Sequence, residues 1–376
     1  MRDTDVFICG GGPAGLAAAI ACRLHGFDVI VADCAKPPID KACGEGLLPD
    51  ALEALRTLGV VLDPEHAGVF RGIRFTDTQH SVEARFPADF AYGVRRTHLQ
   101  QALQQRASAL GADIWWNTQV LSMTPVNGGS AVQTSGQAVR ARWTIGADGL
   151  QSRIRLWSGL DRGSLSGRRI GLRAHLRIPP GEQRDLVEVH WGESAQAYVT
   201  PISGDEIGVA LVARDPRKLR TFEQGLHQFP ALAARFKGAP RISRQRGSAT
   251  LTRRLPRVCS GGVALIGDAS GSIDAVTGAG LGLAFLQALA LAPALKTSDL
   301  AGYQRAHREI GRRAGLMSHA LLLMDRSASI RRLALRSLSR TPELFERMVA
   351  IHVGEAPLRL FGRSGALTLG LQLLRG

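Results

Sequence analysis

Two textures of apolar and polar positions alternate along the chain. Val6-Phe7-Ile8-Cys9 is an unbroken apolar run, which predicts a strand buried on both faces. Gly10-Gly11-Gly12-Pro13-Ala14-Gly15 follows at once. An Ala/Leu/Ile-rich helix is predicted over residues 16–24, stopping near Gly26, and a second apolar run over 28–32 closes on Asp33. The pattern is a complete βαβ unit. Two acids, Asp3 and Asp5, precede its first apolar run, and glycine and proline interrupt it, so it does not read as a signal-peptide core.

A loop holding Pro37, Pro38 and Lys41-Ala42-Cys43-Gly44-Glu45-Gly46 leaves that unit. Helices are predicted over 49–58, stopped at Gly59, and after Arg96, where Leu99, Leu103 and Leu110 share a side. Residues 72–86 alternate and predict strands. Runs at 120–123 and 131–134 flank Asn127-Gly128-Gly129 and predict a hairpin. With a third run at 138–147 they form a meander expected to cover the βαβ unit. Trp115-Trp116 reads as core and rim.

From residue 163 to 254 short strand-like runs dominate, at 170–178, 186–190, 196–201 and 207–213, with one helix expected over 219–236. The first texture returns at Val263-Ala264-Leu265-Ile266-Gly267-Asp268. A glycine-rich loop and a nearly all-apolar helix over 283–292 come next. Residues 301–376 are helical in pattern and hold 13 arginines against 5 acids. The apolar runs at 321–324 and 367–374 give this tail a basic, amphipathic character. Its expected role is to pack on the domain seam with its arginines in water; contact with an anionic membrane surface is the other reading.

Composition narrows the class. The 376 residues suffice for two domains. No run of about 20 apolar residues lacks charge, so no membrane span is expected. Five scattered cysteines form no metal-type pair, which points to a reducing cytoplasm and no metal site. The net charge of +15 comes from arginine, with only 5 lysines. No aromatic-interleaved basic motif accompanies it, so nucleic acid is not an expected partner.

The candidate chemistry sits at strand ends. Gly10 permits a tight turn, Gly12 lets backbone approach a pyrophosphate, and Gly15 lets helix and strand pack closely. The helix start offers free N–H groups and a positive dipole end. Asp33, 18 residues after Gly15, is placed to accept from ribose hydroxyls. Gly146-Ala147-Asp148-Gly149 ends a second strand before Ser152 and Arg153. Asp268, at a third strand end, is placed to hold a polyhydroxylated chain.

Those three stretches together resemble the FAD-dependent class A (para-hydroxybenzoate hydroxylase-like) monooxygenases and the related geranylgeranyl reductase-like oxidoreductases, over roughly residues 1 to 290. The resemblance implies an α/β fold: a Rossmann-like, glutathione reductase-type FAD-binding domain (1–70, 95–162, 255–300) with an inserted β-rich substrate cap (71–94, 163–254); the C-terminal helical segment (301–376) lies outside it and is read from its own pattern. The resemblance also implies tightly bound FAD and transient NAD(P)H. Gly10, Gly12 and Gly15 would hold the pyrophosphate and Asp33 the adenosine ribose, with Pro13, Ala14 and Cys34 also among the cofactor-binding residues. Arg96 would lie near the FAD and Val120 beside the adenine. Asp148 and Gly149 would face FAD and nicotinamide. Gly267 and Asp268 would hold the ribityl chain, and Gly278, Ala279, Gly280 and Leu281 the pyrimidine end of the flavin.

The chain departs from the hydroxylase pattern at Ser272-Ile273-Asp274-Ala275-Val276-Thr277-Gly278, which lacks the usual proline. Its Cys43 loop instead resembles the reductase branch, where Cys43 and Glu45 would be the candidate catalytic pair. The reading is an NAD(P)H-dependent monooxygenase of an apolar or aromatic small molecule. A C=C reductase or dehydrogenase is the alternative, and a non-enzymatic flavin module docking through its tail is a third. The expected location is cytoplasmic, with peripheral membrane contact through the tail as the exception.

Overall fold

The computed structural model describes residues 1–87, 90–179 and 185–357. Its main sheet has eight strands. Arg2–Cys9 lies at the centre, parallel to Val29–Ala32 on one side and to Ala138–Gly146 on the other. Asp113–Trp115 extends the sheet beyond Val29–Ala32, and Val263–Leu265 beyond Ala138–Gly146, both parallel. Every residue of Val29–Ala32 is buried, as expected for a strand covered on both faces.

The Pro13–Leu24 helix covers one face. Proline at its first turn costs no hydrogen bond, because that N–H has no partner within a helix. Leu16 and Ile20 are fully enclosed, each contributing about 1.5–3 kcal/mol of burial.

The meander is placed differently from the sequence expectation. Its first two strands, Val120–Val126 and Gly129–Thr134, form the expected hairpin. Its third run, Ala138–Gly146, is not a cover: it is an inner strand of the parallel sheet. The outer edge of that strand divides. Ala138 to Ala141 pair antiparallel with the hairpin, and Thr144 to Gly146 pair parallel with Val263–Leu265.

The cap is a seven-stranded sheet in the order Arg246–Arg254, Ser164–Arg177, Glu206–Ala213, Ala195–Pro201, Val187–Trp191, Gly72–Thr76, Ser81–Arg85. Only Val187–Trp191 against Gly72–Thr76 is parallel. The helix expected over 219–236 is two short helices, Phe222–Leu226 and Pro230–Arg235. Pro230 cannot donate into a preceding turn, so it starts the second instead of continuing the first. A three-stranded sheet of Gly46–Leu47, Ala91–Val94 and Ala67–Phe70 lies between cap and main sheet. It approaches so closely that a Cβ on Gly93 would lie 1.7 Å from the Pro201 carbonyl oxygen.

Beyond the Gly280–Lys296 helix come Leu300–Arg326, Ala328–Arg340 and Pro342–His352. These last three pack on the cap: Leu321, Leu335, Leu344 and Phe345 share one apolar cluster with Val82, Ala84, Val189 and Trp191. Among the described residues no helix is long and apolar enough to cross a membrane. The apolar run expected over 367–374 lies outside the described residues.

Candidate functional site: a dinucleotide cradle under a cap

The glycine turn divides into two jobs. Gly10 has φ +110°, and a Cβ there would lie 2.4 Å from the Ala147 carbonyl oxygen. A Cβ on Gly15 would lie 1.8 Å from the Gly10 carbonyl oxygen. Both glycines are demanded by the protein itself. Gly12 is different. A Cβ there would meet only Arg96 Nη2, at 3.8 Å, so nothing in the fold forbids a side chain. Gly12 caps the Pro13–Leu24 helix without a side-chain hydrogen bond, and no acid stands in the first turn. The free N–H groups and the dipole end therefore face an open space suited to phosphate.

Arg96 starts the Arg96–Ala109 helix and reaches into the same space. Its Nε is buried and has no hydrogen-bond partner among the described residues. Gln100, one turn on, donates to the Gly11 carbonyl at 3.2 Å and accepts from Ile39 N–H at 3.0 Å, joining the glycine turn to the Cys43 loop.

Asp33 ends its strand as expected, with Oδ2 accepting from Gly11 N–H (2.7 Å) and Oδ1 from Ala35 N–H (2.8 Å). Each oxygen retains a lone pair for a hydroxyl. Cys34, next to it, is exposed. Trp116, expected as rim, walls this end: a Cβ on Gly11 would lie 2.4 Å from its ring. Val120 is buried where the hairpin strand begins.

The other two strand ends converge on the turn. Asp148 Oδ2 accepts from Arg153 and Ile154 N–H, at 2.7 and 3.2 Å, and so caps a short helix, while Oδ1 is buried with no partner among the described residues. Gly149, at φ +79°, faces open space. Arg155 is buried and donates to the Ala269 carbonyl at 3.1 Å. Gly267 packs on Ala14, and its N–H donates to Gln287 Oε1 at 2.7 Å. Gln287 is the lone polar residue in the otherwise apolar run 283–292, a signal that would have revealed it. Asp268 is exposed, but the protein crowded around it pushes its carboxyl above the usual range, opposed by Arg96 and Lys41. Gly278 is left-handed, at φ +65°, and the helix from Gly280 begins with no side-chain cap.

Cys43 and Glu45 part company. Burial pushes the Cys43 thiol up, with Arg96 pulling down and Glu45 pushing up, so it stays protonated. Glu45 is only 2% exposed and has both oxygens engaged. Oε1 accepts from Arg96 N–H at 2.9 Å and lies 3.4 Å from Arg173 Nη2. Oε2 lies 2.6 Å from His175 Nε2. Glu45 therefore ties the cofactor side to the cap strand Ser164–Arg177.

These features fit FAD. An open glycine cradle, a guanidinium nitrogen and a carboxylate oxygen (Asp148 Oδ1) without partners among the described residues, and two uncapped helix starts supply donors for phosphates and the flavin edge, and acceptors for hydroxyls. Comparison with known proteins agrees. Residues 3–302 match the family described as FAD binding domain. The chain is 34% identical over 157 residues to a menaquinone reductase of Mycolicibacterium smegmatis, covering 40% of this chain and 38% of that one. It is 30% identical over 169 residues to a rifampicin monooxygenase of Streptomyces venezuelae, covering 42% and 34%. The chain thus aligns with little more than a third of either relative's length. A crystal structure of a flavoprotein/dehydrogenase from Cytophaga hutchinsonii superposes over 100% of both chains with a TM-score of 0.85 at 18% identity, which shows a shared fold. The chain belongs to the FAD binding domain family.

Proposed function

We propose that the protein is an NAD(P)H-dependent FAD monooxygenase acting on an apolar or aromatic small molecule. The observation that carries this reading is the seal over the flavin end of the cradle. Loop residue Asp274 is fully buried and pairs with Arg169 of the cap, and Tyr198 Oη donates to the Val276 carbonyl at 3.3 Å. Val276 itself joins an apolar cluster with Phe70, Phe86, Trp191 and Phe345. Such an apolar surround suits oxygen transfer to an apolar substrate, because water promotes loss of the activated oxygen as peroxide.

Bound FAD would supply the redox chemistry, by which NAD(P)H provides two electrons, one oxygen atom of O₂ goes to substrate and the other leaves as water. The chain's own residues do the rest. Gly12 and Arg96 bind phosphate, Asp268 orients the ribityl chain, and the helix start at Gly280 offers N–H groups to the flavin edge. Arg169 and Tyr198 hold the loop and exclude water.

A second reading rests on Cys43. On this reading its thiol, kept protonated by burial, would give a proton during C=C reduction; a menaquinone reductase among the relatives supports a reductase. Product formation from a panel of phenols and isoprenoid quinones, with NAD(P)H, separates the two. The monooxygenase reading expects product only when oxygen is admitted. Equal product without oxygen overturns it in favour of the reductase.

A further inference from the structure

The loop from Gly267 to Gly278 is held from the tail as firmly as from the cap. On its first turn, Ser270 Oγ lies 2.8 Å from Nε2 of His307, which stands on the Leu300–Arg326 helix. In the middle, Asp325 at the end of that helix accepts from Gln196 Nε2 at 3.1 Å, and Gln196 Oε1 in turn accepts from Arg169 Nη1, the partner of Asp274, at 3.2 Å. At its end, His352 Nε2 lies 2.9 Å from the Thr277 carbonyl oxygen. His352 closes the Pro342–His352 helix, 75 residues downstream of its partner.

The His352 contact falls on one peptide group. The Thr277–Gly278 peptide has its N–H donated to the Ala275 carbonyl at 3.1 Å and its oxygen taken by His352. The preceding carbonyl, of Val276, is taken by Tyr198 of the cap. The next residue is the left-handed Gly278, which turns the chain into the uncapped helix start at Gly280. A carbonyl oxygen can only accept, so His352 must carry its proton on Nε2. Its Nδ1 is buried with no partner among the described residues. One imidazole tautomer thus fits, with the ring acting as a fixed donor.

We propose that His352 is a positioning residue for the flavin-facing loop: it fixes the plane of the Thr277–Gly278 peptide, so the C-terminal helices complete the FAD site. This rests on the loop being the flavin edge of the cradle, but not on which reaction the flavin serves. A rotated peptide would swing Gly278 and the Gly280 helix start away from the cofactor, and flavin binding would weaken before folding does.

The test uses the full chain with FAD removed and restored. His352→Leu keeps bulk and removes the donor; His352→Gln keeps an N–H donor at about the same reach. Three quantities are read: thermal unfolding of the apo-protein, the FAD dissociation constant, and the shape of the bound flavin's visible band. His352→Leu is expected to weaken FAD roughly tenfold, as loss of one hydrogen bond to a fixed group implies, and to alter the band. His352→Gln is expected to recover most of both. Wild-type affinity and spectrum in folded His352→Leu overturn the proposal. So does loss of FAD binding by folded His352→Gln equal to that of His352→Leu. If His352→Leu does not fold, His352→Gln decides alone: near-wild-type affinity supports the proposal and lost affinity overturns it. None of these outcomes depends on turnover, so failure here is distinct from failure of the monooxygenase reading.

Discussion

Arg169 and Asp274 meet as a buried pair, 105 residues apart, with 2% and 0% of their side chains exposed. Arg169 Nε donates to Asp274 Oδ2 at 3.1 Å, and Nη2 donates to Oδ1. The loop in which class A hydroxylases usually carry a proline here carries an acid instead, anchored to the cap. A buried pair costs desolvation to form, but breaking one strands a charge. Arg169→Met should therefore lower stability by about 3–5 kcal/mol, measured by denaturant unfolding. Arg169→Met with Asp274→Leu should recover much of that loss. A single variant as stable as the parent contradicts the pairing.

The two glycine roles give a sharper comparison. Gly15→Ala drives a methyl into the Gly10 carbonyl, and the turn and helix must separate. A loss of roughly 3 kcal/mol or more and little bound FAD are expected. Gly12→Ala meets no protein atom closer than 3.8 Å. As apo-protein it should unfold at the apo parent's temperature yet retain far less FAD, because its methyl occupies phosphate space. Thermal scans with flavin content by absorbance check both. Full FAD retention by Gly12→Ala would place the pyrophosphate elsewhere.

Much of this was legible in the sequence, for a physical reason. The βαβ unit, the glycine turn and the acids at strand ends are encoded over a few consecutive residues. What was not legible depends on distant pairing. Residues 138–146 read like the last strand of a hairpin meander, and nothing local says that they lie inside a parallel sheet. Glu45 read as a catalytic neighbour of Cys43. Its partners Arg173 and His175 lie about 130 residues away, and their spacing on one strand, two apart on the same face, is meaningful only once the cap is folded. The tail's contacts with the loop through His307, Asp325 and His352 are equally nonlocal.

Glu45 yields its own prediction. Glu45→Gln removes the buried carboxylate that Arg173 and His175 share, leaving Arg173 with Asp40 alone, so it should cost about 2–4 kcal/mol in stability. A residue acting only on substrate would cost turnover and leave stability intact. Denaturant midpoints of the apo-protein distinguish these, and an unchanged midpoint contradicts the structural role.

His307 gives a pH dependence. Burial lowers its pKa from 6.5 to about 4, with Arg308 adding to the shift. Between those values the unfolded chain binds more protons, so stability rises with pH. The contribution is full above about pH 6.5 and is lost as pH falls toward 4, on the order of 2–3 kcal/mol. His307→Gln should flatten that part of the stability profile. An unaltered profile would show that His307 does not titrate this way.

The most direct measurement is FAD titration of apo-protein from the parent, Arg96→Ala and Asp268→Ala, with folding checked by circular dichroism. The account predicts one FAD per parent chain, and folded variants that bind it at least tenfold more weakly, since each loses a charged or charge-assisted contact. Variants that bind one FAD as tightly as the parent would contradict the cradle.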